Sequence, residues 1–352
     1  MEVGRIEAVK ISKKQAVKYA ATAAYDYCGK EIKKVKYLGG GSFGRAVLVS
    51  FKDGAKIVIK LLRAKNMLEK EVHDCALLAQ KCPVKMPSVL FSRKRDAKIP
   101  LDLYAMEYIE GNTALMSLGM LLISRRRREK FADEVTTALH ELHKNTAEKF
   151  GDSMHPDCDG WLDYYRPFAR AVLDEAERVH SQGKLSARII SAMRVAWSKF
   201  DIIFSEKVET ACLIHGDLNV GNIMVGKGYK LAGFIDPLNC MYADREYDLF
   251  QFDNLTGKHF FLRETYTKKY GASRYCKQKL AFYGLWNEVY CYIKSGVLVN
   301  IIMNPLVKNM LKAARSCDFP SRGNFKGADK AVYLSIPQKA YVFVAFGKVE
   351  ER

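Results

Sequence analysis

Apolar and polar positions along this chain repeat with two different periods, and each change of period marks an element. Residues 12–28 mix small, aromatic and charged side chains without proline or interior glycine, which predicts a helix; the alternation over 32–38 predicts a strand. Two β-rich runs follow, 47–51 and 56–62, separated by Lys52-Asp53-Gly54-Ala55, whose Asp-Gly step favours a hairpin turn. Residues 66–81 place Leu68, Val72, Leu77 and Leu78 at helical spacing, with Asn66 available to cap the first turn. A further strand is expected over 101–109, ended by Gly111-Asn112, and the chain reads as mainly helical from Leu115 to Phe204. The pattern predicts an α+β fold of two lobes around a cleft. An antiparallel sheet with a helix occupies residues 1–110, and a larger, mainly helical lobe occupies 111–321. A C-terminal extension follows over 322–352, with a β-like run at 340–346.

Composition narrows the class. With 352 residues, 49% hydrophobic and 27% charged, the chain can bury a large core and is neither disordered nor fibrous. Its longest apolar stretches, around Leu118 to Ile123 and Val297 to Met303, are too short to span a bilayer, so no membrane partner is expected. Glu2, Arg5 and Glu7 have no apolar core behind them, so no secretory signal is expected and the cytoplasm is the expected location. Nine cysteines without a metal-like C-x-x-C pair read as reduced thiols. The net charge of +18 would attract anions, but the basic runs Arg93-Lys94-Arg95 and Arg125 to Arg128 lack interleaved aromatics for base stacking. They read as solvated faces, and a nucleic-acid partner is disfavoured.

The run His215-Gly216-Asp217-Leu218-Asn219-Val220-Gly221-Asn222 carries the strongest chemistry. An H-G-D tripeptide with Asn five residues after the Asp arises by chance in on the order of one chain in a thousand of this length. The spacing sets a carboxylate that orients an attacking hydroxyl and an amide oxygen that ligates Mg²⁺ at two ends of one short loop. Asp217 takes the first role and Asn222 the second. Asp236-Pro237, after a β-rich run, offers the charged oxygen that a hard cation needs.

Upstream, Gly39-Gly40-Gly41-Ser42-Phe43-Gly44 fits G-x-G-x-x-G. It lies between two predicted strands rather than opening a helix, which points to a loop covering nucleotide phosphates and away from a dinucleotide fold. Gly39, Gly41, Ser42 and Gly44 would line it. Lys60, after Ile57-Val58-Ile59, matches a lysine that pairs with the α- and β-phosphates, and a carboxylate on the following helix must hold it. Glu69 and Glu71 are both available; Glu71, beside Val72 and ahead of Leu77 and Leu78, is preferred.

Together these residues resemble the aminoglycoside phosphotransferase and choline kinase superfamily, a branch of the protein-kinase-like fold that includes the fructosamine kinases. The resemblance covers residues 33–255. It implies an ATP-dependent, Mg²⁺-dependent kinase that phosphorylates a hydroxyl of a small molecule. It also implies that Met106-Glu107-Tyr108-Ile109 is the hinge, with Met106 as gatekeeper and the backbone of Glu107 and Ile109 facing adenine. In Ala243-Asp244-Arg245-Glu246-Tyr247-Asp248-Leu249, Asp248 would brace the catalytic loop, and Trp161 to Arg166 is similar to the family's substrate-side helical insert. Asp236-Pro237 and Arg245-Glu246-x-Asp248-Leu249 are nearest to fructosamine kinases, whereas Asn219 stands where their loop carries Trp. The acceptor, fructosamine-type or aminoglycoside-type, stays open on these motifs. The surplus of positive charge favours a glycated amine or sugar over a polycation. A pseudokinase scaffold is the competing reading, and it is weakened because each catalytic position holds the residue type that the chemistry needs.

Overall fold

The computed structural model describes residues 3–317. Helix α1, Lys13–Cys28, begins in a capping box: the Ser12 hydroxyl accepts from the Gln15 N–H, and the Gln15 amide oxygen accepts from the Ser12 N–H. Its buried face is Ala16, Ala20, Ala23 and Ala24, small enough for the helix to lie close on the sheet. The strands are β1 Ile32–Gly39, β2 Gly44–Phe51, β3 Lys56–Leu62, β4 Val89–Arg93 and β5 Asp102–Glu107, with α2, Leu68–Lys81, between β3 and β4. They form one antiparallel sheet in the order β1-β2-β3-β5-β4. Period-two alternation divides β3 between two faces. Ile57, Ile59 and Leu61 pack with the alanines of α1, while Leu62 joins Leu68 and Cys75 of α2 and Tyr104 of β5. Lys60 shares the face of Leu62, so the strand period itself aims it toward α2.

The expected Asn66 cap is not formed. Asn66 sits in the left-handed region (φ 62°), the helix starts at Leu68, and Met67 occupies the cap position without a side-chain bond. The 115–204 stretch is mainly helical, as its pattern predicts, with three strands of two or three residues between its helices.

After Gly111 the chain enters a second assembly. Its elements are β6 Asn112–Thr113, α3 Arg125–His143, β7 Thr146–Ala147, β8 Phe150–Asp152, β9 Pro156–Cys158, α4 Trp161–Ser181, α5 Ala187–Trp197 and α6 Phe200–Ile203. They continue with β10 Ala211–Ile214, β11 Ile223–Val225, β12 Leu231–Phe234, β13 Met241–Ala243, a 3₁₀ segment Arg245–Asp253, α7 Leu262–Tyr270, α8 Cys276–Ser295 and α9 Asn300–Ser316. Two small sheets, β7-β10-β13-β8-β9 and β12-β11-β6, sit among these helices. The core is aromatic: Phe282 stacks on Trp286 at 3.7 Å between ring centres, and Trp161 stacks on Tyr165 at 5.2 Å. Both buried indoles are satisfied, Trp161 Nε1 by the Tyr283 hydroxyl and Trp286 Nε1 by the Ala169 carbonyl. No helix among the described residues is long and apolar enough to cross a membrane. The 322–352 extension and its β-like run lie outside the described residues.

The segment ahead of α1 bridges the two parts. Val3 packs on the larger core, the Ile6 N–H donates to the Lys294 carbonyl of α8, and the Val9 N–H donates to the Arg63 carbonyl just past β3.

One buried ionic cluster anchors the larger lobe: Lys279 of α8, 3% exposed, lies 2.6 Å from Asp244 and 2.8 Å from Glu246. Burial opposes the Lys279 charge, and the two carboxylates outweigh it and keep the ammonium protonated. Replacing Lys279 with Met leaves two carboxylates without their cation and is expected to destabilise the fold by about 3–5 kcal/mol in urea titrations. A loss under about 1 kcal/mol would show that the cluster is more hydrated than its burial indicates.

Candidate active site

Two loops and two elements converge on one cleft. From β3, the Lys60 ammonium reaches the Glu71 carboxylate of α2 at 2.7 Å and the Asp236 carboxylate beyond β12 at 2.6 Å. Tyr104 of β5 donates its hydroxyl to the same Glu71 oxygen at 2.9 Å, which fixes the carboxylate from the other side. Glu69 faces away and pairs with Lys94. Burial works against a charged Lys60, and the Asp236 and Glu71 carboxylates overcome it and hold the ammonium well above its usual pKa. For Asp236, withdrawal from water pushes the carboxyl up, and Lys60 more than reverses this, leaving it below the usual carboxylate range.

The loop from β10 to β11 is shaped by backbone demands. Asp248 accepts from the N–H groups of His215 (2.9 Å) and Gly216 (2.7 Å) and lies 3.1 Å from His143 Nε2, whose Nδ1 is 2.7 Å from the Tyr266 hydroxyl. Gly216 has φ 80°, and any Cβ there would collide with the carbonyl oxygens of Leu238 and Asn239. Within this loop Asp217 is held by three amides. Its Oδ1 accepts from Gln251 Nε2 at 2.7 Å and Asn219 Nδ2 at 3.1 Å, and its Oδ2 accepts from Asn222 Nδ2 at 3.0 Å.

The donors that remain fit a nucleotide and a hard cation. Asn222 spends its Nδ2 on Asp217, and Asp236 spends Oδ1 on Lys60; Asn222 Oδ1 and Asp236 Oδ2 have no hydrogen-bond partner among the described residues. One carboxylate oxygen and one amide oxygen suit Mg²⁺ when phosphate supplies further ligands. Asp236 adopts φ 57°, a conformation a non-glycine residue holds only when its surroundings enforce it.

The glycine loop between β1 and β2 is gripped by its carbonyls. Arg45 Nη1 donates to the carbonyls of Gly41 and Gly44, Arg63 Nη1 to that of Ser42 at 2.9 Å, and the Arg63 N–H to that of Phe43 at 2.7 Å. The N–H groups of Gly41, Ser42 and Phe43 have no partner among the described residues, so the loop presents donors to an anion. Gly44 lies against the Lys60 stem, where a Cβ would come within 3.0 Å of Lys60 Cε, and Gly39 ends β1 at the loop's entrance.

At the hinge, Met106 pairs with Val58 and Val89, and the Glu107 N–H donates to the Ser88 carbonyl at 3.0 Å. The N–H of Ile109, two residues past the Glu107 end of β5, has no partner among the described residues.

A model of the phosphotransferase enzyme family, APH, matches residues 34–274 of this 352-residue chain. The chain belongs to the APH phosphotransferase family. No curated protein matches it by sequence. Solved structures share its fold at low identity. A protein described as a fructosamine-3-kinase from Thermobifida fusca is 19% identical with a TM-score of 0.61, covering 84% of this chain and 98% of that one. An apo thermostable mutant of aminoglycoside phosphotransferase APH(4)-Ia is 14% identical with a TM-score of 0.64, covering 85% and 98%. Macrolide 2'-phosphotransferase type I is 18% identical with a TM-score of 0.55, covering 87% and 98%. The APH chain therefore has the two-lobed, kinase-like fold, with the N-terminal antiparallel sheet and a larger, mainly helical lobe.

Several residues of this APH site carry no motif. Gln251, Arg45, Arg63, Tyr104 and His143 act through contacts made by distant elements. Asn219, by contrast, had a signal in its departure from the fructosamine-kinase loop: it joins Asp217 to the Gly221 N–H.

Withdrawal from solvent, then the negative charge of Asp236, push Asp217 up to about 8, against the Asn219 and Asn222 amides. In metal-free, nucleotide-free buffer the native state thus retains a proton that the unfolded chain has released. That stabilisation is complete below about pH 4 and is lost as pH rises through about 8. Wild type should lose stability relative to Asp217→Asn across this window and level off above it. A pH-independent difference in melting temperature between the two proteins would contradict it.

Proposed function

We propose that this APH-family protein transfers the terminal phosphoryl group of MgATP to a hydroxyl of a small molecule. The observation that carries the reading is Asp217, pinned by Gln251, Asn219 and Asn222 across the cleft from the Lys60–Glu71 pair. Bound MgATP supplies the phosphoryl group and the cation that offsets its charge. The chain supplies position. Gly39, Gly41, Ser42 and Gly44 cover the phosphates with backbone donors, and Lys60, held by Glu71, meets their charge. The Glu107 and Ile109 backbone faces the adenine edge, and Asn222 and Asp236 hold Mg²⁺. Asp217 orients the acceptor hydroxyl and receives its proton.

For the acceptor, we favour a glycated amine or sugar over a polycationic aminoglycoside. Of the acidic residues over 155–175, Asp159 is paired with Lys149, Asp174 with Arg170 and Glu175 with Arg178, while Asp157 and Asp163 have no cationic partner among the described residues. Two unpaired carboxylates in a chain of net charge +18 are a small surplus with which to receive a polycation.

Asp217→Asn should keep nucleotide binding and lower turnover by at least about 100-fold. Asp236→Ala should instead weaken Mg²⁺-dependent nucleotide binding, read by titrating a nonhydrolysable ATP analogue with and without Mg²⁺. Wild-type turnover in the first variant would remove Asp217 from the chemistry. Among acceptors screened by ADP release, glycated lysine should give a higher kcat/KM than kanamycin-like compounds at moderate salt. The reverse ranking would reassign the substrate class.

A further inference from the structure

Glu71 can hold Lys60 only if α2 keeps its place, and the residue before it fixes that place. Lys70 projects from α2 into the larger lobe, where its ammonium, 28% exposed, lies 2.7 Å from both oxygens of Asp74, 2.7 Å from Ser153 Oγ and 2.8 Å from the Cys240 carbonyl. An ammonium has three N–H donors, and Asp74, Ser153 and Cys240 take them. Asp152 adds a carboxylate at 3.5 Å. The Ser153 hydroxyl donates in turn to Asp74, and both residues are buried. Asp74 is one turn along the same helix, so the pair is internal to α2. Ser153 follows β8, and Cys240 lies four residues beyond Asp236. A single cation therefore ties the helix that carries Glu71 to the segment that carries Asp236, the two carboxylates between which Lys60 is shared.

We infer that Lys70, with Asp74 and Ser153, is a positioning device that sets the Glu71–Lys60–Asp236 geometry across the two lobes. The inference rests on the kinase reading of that cleft. A part-buried ammonium with all three donors taken has one geometry, unlike the exposed Glu69–Lys94 pair on the outer face of the same helix.

The test compares Lys70→Met, Lys70→Arg, Ser153→Ala and, as control, Lys94→Met in the full-length protein. Lys70→Met should lower kcat by about 10- to 100-fold, the scale of a small misplacement of catalytic groups, with the acceptor KM within about twofold. Lys70→Arg should restore a large part of the loss, and Lys94→Met should change nothing. Ser153→Ala keeps the Lys70–Asp74 pair and secures the test if Lys70→Met folds poorly. It should lower kcat several-fold and be non-additive with Lys70→Met. Wild-type kcat in Ser153→Ala and in a folded Lys70 variant would overturn the inference. Absence of ADP release from the wild type would defeat the kinase reading instead. The device is then read without turnover: amides of α2 should exchange faster in Ser153→Ala than in wild type while those of α1 do not, and equal exchange would overturn it.

Discussion

The Lys60 ammonium, shared by Glu71 and Asp236, is the interaction on which the cleft depends. Each contact comes from a different part of the chain: a strand, a helix and a loop from the larger lobe. A buried cation is stable only when such partners are supplied together, because loss of either carboxylate leaves charge in a poorly solvated site. Placing these three groups within hydrogen-bond reach constrains the sheet, α2 and the β12–β13 connection at once. Tyr104 and the Lys70 cluster are the means by which the fold meets that constraint.

The loop from β10 to β11 answers to a second constraint, set by backbone groups. Its first two N–H donors are taken by Asp248, its glycine is forced by two opposing carbonyls, and its carboxylate is held by side-chain amides. Asp248 belongs to a segment in which three acids have separate internal tasks. Asp244 caps the 3₁₀ segment and meets Lys279, Glu246 meets Lys279 and the Ser273 hydroxyl, and Asp248 holds the loop. The carboxylates around this loop are thus largely committed, and Asp236 keeps an uncommitted oxygen.

The glycine loop shows the same economy of donors and acceptors. Two guanidiniums and one backbone N–H occupy its carbonyls, which turns a flexible glycine run into an oriented row of N–H groups. Arg63 also accepts the Val9 N–H at its own carbonyl, so the segment before α1 reaches the glycine loop from the surface of α8.

Much of this was legible in the residues themselves. Strand alternation in β3 fixes the face of Lys60, the Asp53-Gly54 step fixes the hairpin, and the H-G-D-x-x-x-x-N spacing fixes which side chains can meet around Asp217. These are local properties, set by periods of two and by short loops, and sequence carries them directly. Other features depended on partners far away in sequence. Asn66 reads as a helix cap but takes a left-handed turn into α2, and the short strands β7, β8 and β9 between the helices after Leu115 gain their hydrogen bonds from one another and from β10 and β13. Gln251 reaches Asp217 from 34 residues away, and Lys70 reaches Cys240 from 170 residues away. Glu69 and Glu71 are equally acidic and two residues apart. Sequence could rank them, but only the packing of α2 on β5 and the larger lobe decided which would face Lys60, because the rotation of a helix about its axis is set by what its neighbours bury.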